Sequence, residues 1–232
     1  MAGGVFDVPD LVEAASAILT QSERRVEIVA QNIANATTPG YKRRIAFSQL
    51  VANGEGNGGV QTAVTPVLDN RAGKLVVTNS PFDFALSGPG VFALRDATGG
   101  TRYSRQGRFS RDGDGHLVDV LGGALQLANG SDLTVTSADF EVRPDGSVIQ
   151  KGELQGKLAV FAEADLRGVR GPDLIDTTRI QQGAFESSNV SIGDEMVLMM
   201  EALRRAESAQ RVMITYDELM ARVINTFGGN GQ

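Results

Sequence analysis

Three stretches of the sequence carry residue types and spacings that could do chemistry, and the only histidine lies in one of them. Asp112-Gly113-Asp114-Gly115 opens as a calcium loop does. Such a loop continues with a third oxygen ligand, a glycine at its sixth position and a glutamate at its twelfth. Counted from Asp112, those places hold His116, Leu117 and Gly123, so the expectation is a tight hairpin turn and no metal. Gly88-Pro89-Gly90-Val91-Phe92-Ala93 fits the spacing of a dinucleotide fingerprint. That fingerprint needs a helix next, to aim its N-terminus at pyrophosphate. Val91–Leu94 has strand character and Gly99-Gly100 follows too soon, so a turn is expected and no cofactor. Arg102, Tyr103, Arg105, Arg108, Phe109 and Arg111 interleave cations and aromatics as a single-strand binding surface would. At strand spacing Arg105 and Phe109 share one face while Arg108 lies on the other, which predicts a solvated strand pair or ion pairs between chains. One histidine and no cysteine are poor material for general-base catalysis. A Ser-His-Asp set is spatial, yet nothing nominates a particular serine. The chain is expected not to be an enzyme.

A chain of 232 residues at 41% hydrophobic can bury a sizeable core. The net charge of -6 argues against nucleic acid as a partner, and no segment is a polybasic arm. The absence of cysteine excludes a disulfide framework, a thiolate nucleophile and a Cys-ligated metal. Met1–Asp7 lacks the basic start of a secretory signal peptide, and no stretch approaches the ~20 apolar residues of a membrane span. The expectation is a soluble protein without membrane insertion, either cytosolic or exported without a cleaved signal. Sequons at Asn35, Asn129 and Asn189 matter only in a glycosylating host.

The two ends of the chain share a pattern that the middle lacks. Val8, Leu11, Ala15, Ile18, Ser22, Val26, Val29 and Ile33 recur in steps of three and four, which makes one helical stripe. Met196, Met199, Leu203, Ala206, Met213, Tyr216, Met220, Val223 and Phe227 do the same, with Gln210 as a polar interruption. Ser191 followed by Asp194 and Glu195 reads as a capped helix start with acids in the first turn, and Gly228-Gly229 ends the run. Between them, short β-rich runs from Phe82 to Phe161 alternate with turn signals at 88–90, 98–100, 111–115, 128–130 and 144–146. The fold class expected is α+β: N- and C-terminal helices in a coiled-coil-like axial part, with an inserted antiparallel β-barrel or sandwich. The expected boundaries are 1–45 with 184–232 for the helical region, 46–74 for a flexible or extended connector around Asn53–Gly59, and 75–183 for the β-rich domain. Burial of the seams does not by itself offset the entropy of ordering two long helices, so they are expected to be loose alone and ordered by association.

The junction after the first helix is abrupt. In Asn32–Arg44 (NIANATTPGYKRR), Asn35 suits a helix end because asparagine tolerates the left-handed conformation. Pro39 forbids continuation and makes Thr38 extended. Gly40 permits reversal, and Tyr41-Lys42-Arg43-Arg44 begins a strand. This segment, following Gln21–Ala30, resembles the signature of bacterial flagellar rod and hook proteins. The likeness extends to Thr78–Gly88, to Tyr103–Phe109 with Asp112–Val118, and to Gly183–Val190 followed by Glu195-Met196 and Glu201-Ala202.

The resemblance implies a structural subunit exported by the flagellar type III apparatus and assembled into the periplasmic rod. Its partners would be other rod subunits and copies of itself. Length excludes the much larger hook protein. At Glu201–Glu207 (EALRRAE) the distal rod type usually has glutamine in the third place and tyrosine in the sixth, where this chain has Leu203 and Ala206, which favours the proximal type. The expected assembly interface is Ile18, Val26, Val29, Ile33, Met196, Met199, Leu203 and Met213. The expected helix stop is Asn32, Asn35, Thr38, Pro39, Gly40 and Tyr41. From another class, a secreted surface- or carbohydrate-binding β protein with helical oligomerisation arms would share the same pattern.

Overall fold

The computed structural model describes residues 8–52, 60–162, 174–175 and 177–228. The chain forms two compact units: residues 1–34, 43–69 and 190–232 make one, residues 35–42 and 70–189 the other. The architecture is α+β, with one long helix near each end and antiparallel strands between.

The helical unit holds α1 (Val8–Ala34), a hairpin of β1 (Arg44–Ala52) and β2 (Val60–Leu68), and α2 (Ile192–Gly228). At ~1.5 Å per residue, the 27 residues of α1 and 37 of α2 reach roughly 40 and 55 Å. They run antiparallel, because Asn32 at the end of α1 bonds Glu195 at the start of α2, while Ala15 and Ala209 line one groove. The buried positions of α1 include Ala15, Ser22, Ile28, Val29 and Asn32. On α2 the inward positions are Glu195, Met199, Ala202, Ala206, Ala209 and Met213, a strict four–three alternation. Small side chains at Ala15, Ser22, Ala202 and Ala209 let the two backbones approach closely. The inward face shares Met199, Ala206 and Met213 with the expected stripe but departs from it at Ala202, which is 3% exposed, whereas its neighbour Leu203 is 46% exposed. No helix among the described residues is long and apolar enough to cross a membrane.

The stretch 46–74, read from sequence as a connector, contains most of the β1–β2 hairpin, paired antiparallel from Arg44 opposite Leu68 to Ala52 opposite Val60. Its apolar and threonine-rich strands suit a pleated ribbon. Pro66 is tolerated because a two-stranded ribbon leaves one side of each strand without a ladder. The Gly-rich segment 53–59 lies outside the described residues.

Among its described residues the second unit has thirteen short strands. They are β3 (Leu75–Val77), β4 (Phe84–Ser87), β5 (Val91–Arg95), β6 (Thr101–Ser104), β7 (Ser110–Arg111), β8 (Leu117–Val118), β9 (Ala124–Leu125), β10 (Phe140–Val142), β11 (Ser147–Gln150), β12 (Glu153–Lys157), β13 (Val160–Phe161), β14 (Arg179–Gln182) and β15 (Ala184–Glu186). A six-stranded sheet runs β13-β5-β9-β8-β7, with β6 on β5. β10-β11-β12 form a three-stranded sheet, and β14-β4 and β15-β3 are two-stranded. Of the barrel or sandwich expected, no closed barrel forms among the described residues: strands of two to five residues give no continuous ladder to close, and the six-stranded sheet stays open.

The sheets share one core. Phe84, Phe92, Phe109 and Phe140 sit among Leu94, Leu117, Leu125 and Val148. The Phe84 and Phe92 rings lie 5.8 and 6.0 Å from that of Phe109, the second pair edge-to-face. Phe92 is fully buried. Phe92→Ala should therefore cost about 3–5 kcal/mol of this unit's stability by denaturant unfolding. Leu121→Ala, at a residue 74% exposed, should stay within ~0.5 kcal/mol of the parent.

Candidate functional site

The helix stop is a hydrogen-bonded turn. Thr38 donates its N–H to the Asn35 carbonyl at 3.0 Å and its hydroxyl to Asn35 Oδ1 at 3.2 Å, and the Tyr41 N–H meets the Thr38 carbonyl at 3.2 Å. Asn35 thus closes the turn through its oxygens and does not take the left-handed conformation expected of it; the described non-glycine residues that do are Asn79 and Lys151. The reversal falls on Gly40, at φ 67°. A Cβ there would meet the Arg105 carbonyl oxygen at 2.3 Å, so both backbone and space demand glycine. The strand begins at Arg44, three residues after the expected Tyr41.

Beside this turn, within the β unit, lies a buried acid. Glu186, 2% exposed, receives Lys42 Nζ and the Gly73 N–H on Oε1, both at 2.7 Å, and Arg105 Nε on Oε2 at 2.5 Å. Its backbone carbonyl accepts the Gly40 N–H at 2.7 Å. The rest of the Arg105 guanidinium donates to the carbonyls of Gly90 (2.7 Å), Gly88 (2.7 Å) and Leu86 (3.1 Å). Lys42 Nζ also reaches the Arg71 carbonyl at 2.9 Å. Burial pushes the Glu186 carboxyl up, but the donors on Lys42, Arg105 and Gly73 outweigh it and hold the group below its ordinary range.

The helical unit has its own buried acid. Glu195, with no exposed surface, accepts Arg43 Nε on Oε1 at 2.5 Å and Asn32 Nδ2 on Oε2 at 2.9 Å. Asn32 also donates Nδ2 to the Arg44 carbonyl at 2.8 Å and accepts the Arg44 N–H on Oδ1 at 2.9 Å. Its side-chain amide copies a strand neighbour and satisfies both backbone groups of the first residue of β1. The basic run is thereby divided, Lys42 to Glu186 and Arg43 to Glu195.

The stretches that imitated sites are absorbed by the same structure. Gly88-Pro89-Gly90 is a turn whose carbonyls face the Arg105 guanidinium. Arg105 is therefore internal, not on a solvated strand face. Arg102 pairs with Asp119, Arg108 lies 5.1 Å above the Phe185 ring, and Arg111 donates to the Thr136 carbonyl at 2.8 Å. Asp112 Oδ1 accepts the N–H groups of Asp114 (3.0 Å) and His116 (2.7 Å), which makes the hairpin turn between β7 and β8. The carboxylates of Asp112 and Asp114 and the His116 ring come within 4.8 Å of one another.

Of the interface residues read from sequence, Val29 is buried within the chain, and Val26, Ile33, Met199 and Met213 are half-buried. Ile18, Met196 and Leu203 are exposed. Sequence reasoning missed Glu186 and Arg105 as the centre of the β unit, and it assigned Glu195 to the helix start alone. The available signal was the pairing of isolated acids with the YKRR run.

Three family models match the chain in succession. Residues 14–42 match one described as flagella basal body rod protein, residues 85–150 the D1 domain of flagellar hook protein FlgE/F/G, and residues 181–226 the C-terminal part of flagellar basal body rod FlgEFG proteins. The chain is 28% identical over 225 residues to the flagellar basal-body rod protein FlgF of Mesorhizobium japonicum, covering 89% of this chain and 92% of the relative. It is 28% identical over 235 residues to FlgF of Escherichia coli, covering 88% and 92%. It is 29% identical over 245 residues to FlgG of Agrobacterium fabrum, covering 87% and 93%. Lys42, Arg105 and Glu186 come one from each matched block, so the acid-centred cluster is where the three blocks meet.

Glu186→Gln removes the counter-charge from two buried cations and should cost about 3–5 kcal/mol in denaturant unfolding at neutral pH. Because the folded carboxyl titrates below its ordinary 4.5, its contribution is complete above that pH and is lost as pH falls through the lower folded value. Acid unfolding curves of the variant should be flatter than the parent's in that window.

Proposed function

The chain belongs to the family of bacterial flagellar basal-body rod proteins, and from that premise we propose that it is a structural subunit of the proximal rod. It is exported through the flagellar type III apparatus and built into the periplasmic drive shaft by coiled-coil-like packing of its helices with copies of itself and related rod subunits. The observation that carries this reading is the apolar surface that the helical unit leaves open. Leu11, Ile18, Met196, Val197, Met200, Leu203, Ile214, Leu219 and Ile224 are all exposed, on helices that already bury one small-residue seam against each other. A surface of that extent is unlike a solitary soluble protein and suits repeated helix–helix contact. Leu203 and Ala206, which distinguish the chain from the distal pattern, and the similarity to FlgF proteins support the proximal assignment.

The design also suits a torque-bearing subunit. In each unit a buried acid fixes the chain reversal through several charge-assisted bonds, which resist displacement better than neutral ones. No metal and no cofactor is called for by this role.

Leu203→Glu, introduced on the chromosome, should abolish swimming while the β unit keeps its near-ultraviolet signal and proteolytic resistance. Swimming at the parental rate would overturn the packing role of this face. In a deletion strain, rods that stall before the distal segment support the proximal assignment. Rods complete up to the distal segment would assign the chain to the distal type instead.

A further inference from the structure

Within the helical unit, a cavity of about 210 Å³ lies among α1, the start of β1 and the first half of α2. Its lining combines an apolar part, with Ile28, Val29, Ala46 and Leu198, and four arginines, Arg25, Arg43, Arg44 and Arg205, beside Glu195 and Glu201. Two of the arginines are neutralised, Arg43 by Glu195 and Arg205 by Glu201. The other two are not. Arg25 donates to the Ser48 hydroxyl at 3.0 Å and Arg44 to the side-chain Oε1 of Gln31 at 2.7 Å, and neither meets a carboxylate among the described residues. A chain of net charge -6 thus concentrates two uncompensated cations on one small, half-enclosed, partly apolar hollow.

We propose that this hollow is a binding site for a carboxylate carried on a short apolar body. Arg25 and Arg44 receive the anion, and the aliphatic part of the lining receives the stem. The arrangement matches the planar, two-pronged donation that guanidinium offers a carboxylate. An anion there also relieves the repulsion between two like charges held beside low-dielectric walls. At about 210 Å³ the hollow is below the usual ~300–1,000 Å³ of sites for drug-sized ligands. It therefore takes one acidic side chain or a short-chain organic acid. The site is distinct from the exposed helix faces assigned to rod packing and does not depend on that role.

The test titrates the full-length protein with hexanoate at constant ionic strength, following the methyl resonances of Ala46 and Ala202, with hexylammonium as the control of equal chain and opposite charge. Hexanoate should saturate with a Kd on the order of 1 mM, and hexylammonium should not bind. Arg25→Gln and Arg44→Gln should each weaken hexanoate tenfold or more; the second leaves the Asn32 clamp intact because that clamp uses only the Arg44 backbone. Ala46→Leu fills the apolar part, keeps both cations and should block binding. Linear, unsaturable shifts, equal shifts with hexylammonium, or unchanged affinity in Arg44→Gln and Ala46→Leu would overturn the proposal. Sedimentation of the same samples separates the sources of the carboxylate. Dissociation of self-associated protein by hexanoate identifies an acidic side chain of a second copy, and an unchanged mass identifies a free short-chain acid.

Discussion

A carboxylate removed from water must be met by donors, or it will not stay charged. Glu186 meets that requirement with three donors drawn from distant parts of the sequence, Lys42, Gly73 and Arg105. This arrangement ties together parts of the second unit that no single sheet connects. Its sheets are small and open, and strands of two or three residues cannot fix their own register. Arg105 extends the constraint by donating to the carbonyls of Leu86, Gly88 and Gly90, which places the turn between β4 and β5. Buried ion pairs add little net stability compared with apolar packing, but they tolerate few alternative geometries. In a unit of short strands, that selectivity contributes what long ladders contribute elsewhere.

The helical unit solves a different problem by similar means. Glu195 and Asn32 fix where α1 and α2 meet, and Ala15, Ser22, Ala202 and Ala209 let them lie close. Small residues bury little apolar area, so this seam spends few of the large side chains on either helix. Leu11, Ile18, Met196, Met200 and Leu203 stay outward and available. The packing proposed for the chain would need this division, with enough internal contact to define the helix pair and exposed apolar area left over.

Much of this was legible in the sequence. Three- and four-residue spacing placed both helices, and glycine-bearing turn signals placed the hairpins between Phe84 and Val160. The stripe read on α2 meets the inward face at Met199, Ala206 and Met213, but it followed size and so took in the exposed Met196 and Leu203 and passed over Ala202 and Ala209. Periodicity cannot tell a face that meets its own chain from a face that meets another. The β1–β2 hairpin was hidden because its turn lies in a Gly-rich stretch that also reads as a linker. The acid-centred clusters were illegible for a simpler reason, since Glu186 and its partners lie 81 and 144 residues apart in sequence and no local spacing announces them.

The division of adjacent bases between two acids has a consequence for what variation the chain can accept. Lys42 and Arg43 are successive residues, each already committed to a different carboxylate, with Asn32 and Gly40 fixed upstream by their own bonds. Exchanging one side chain for another of like character disturbs a single contact. Inserting or deleting one residue shifts the reading frame of partners, so that one base or the other loses its acid altogether. From Asn32 to Arg44, spelling can therefore drift more readily than the number of letters.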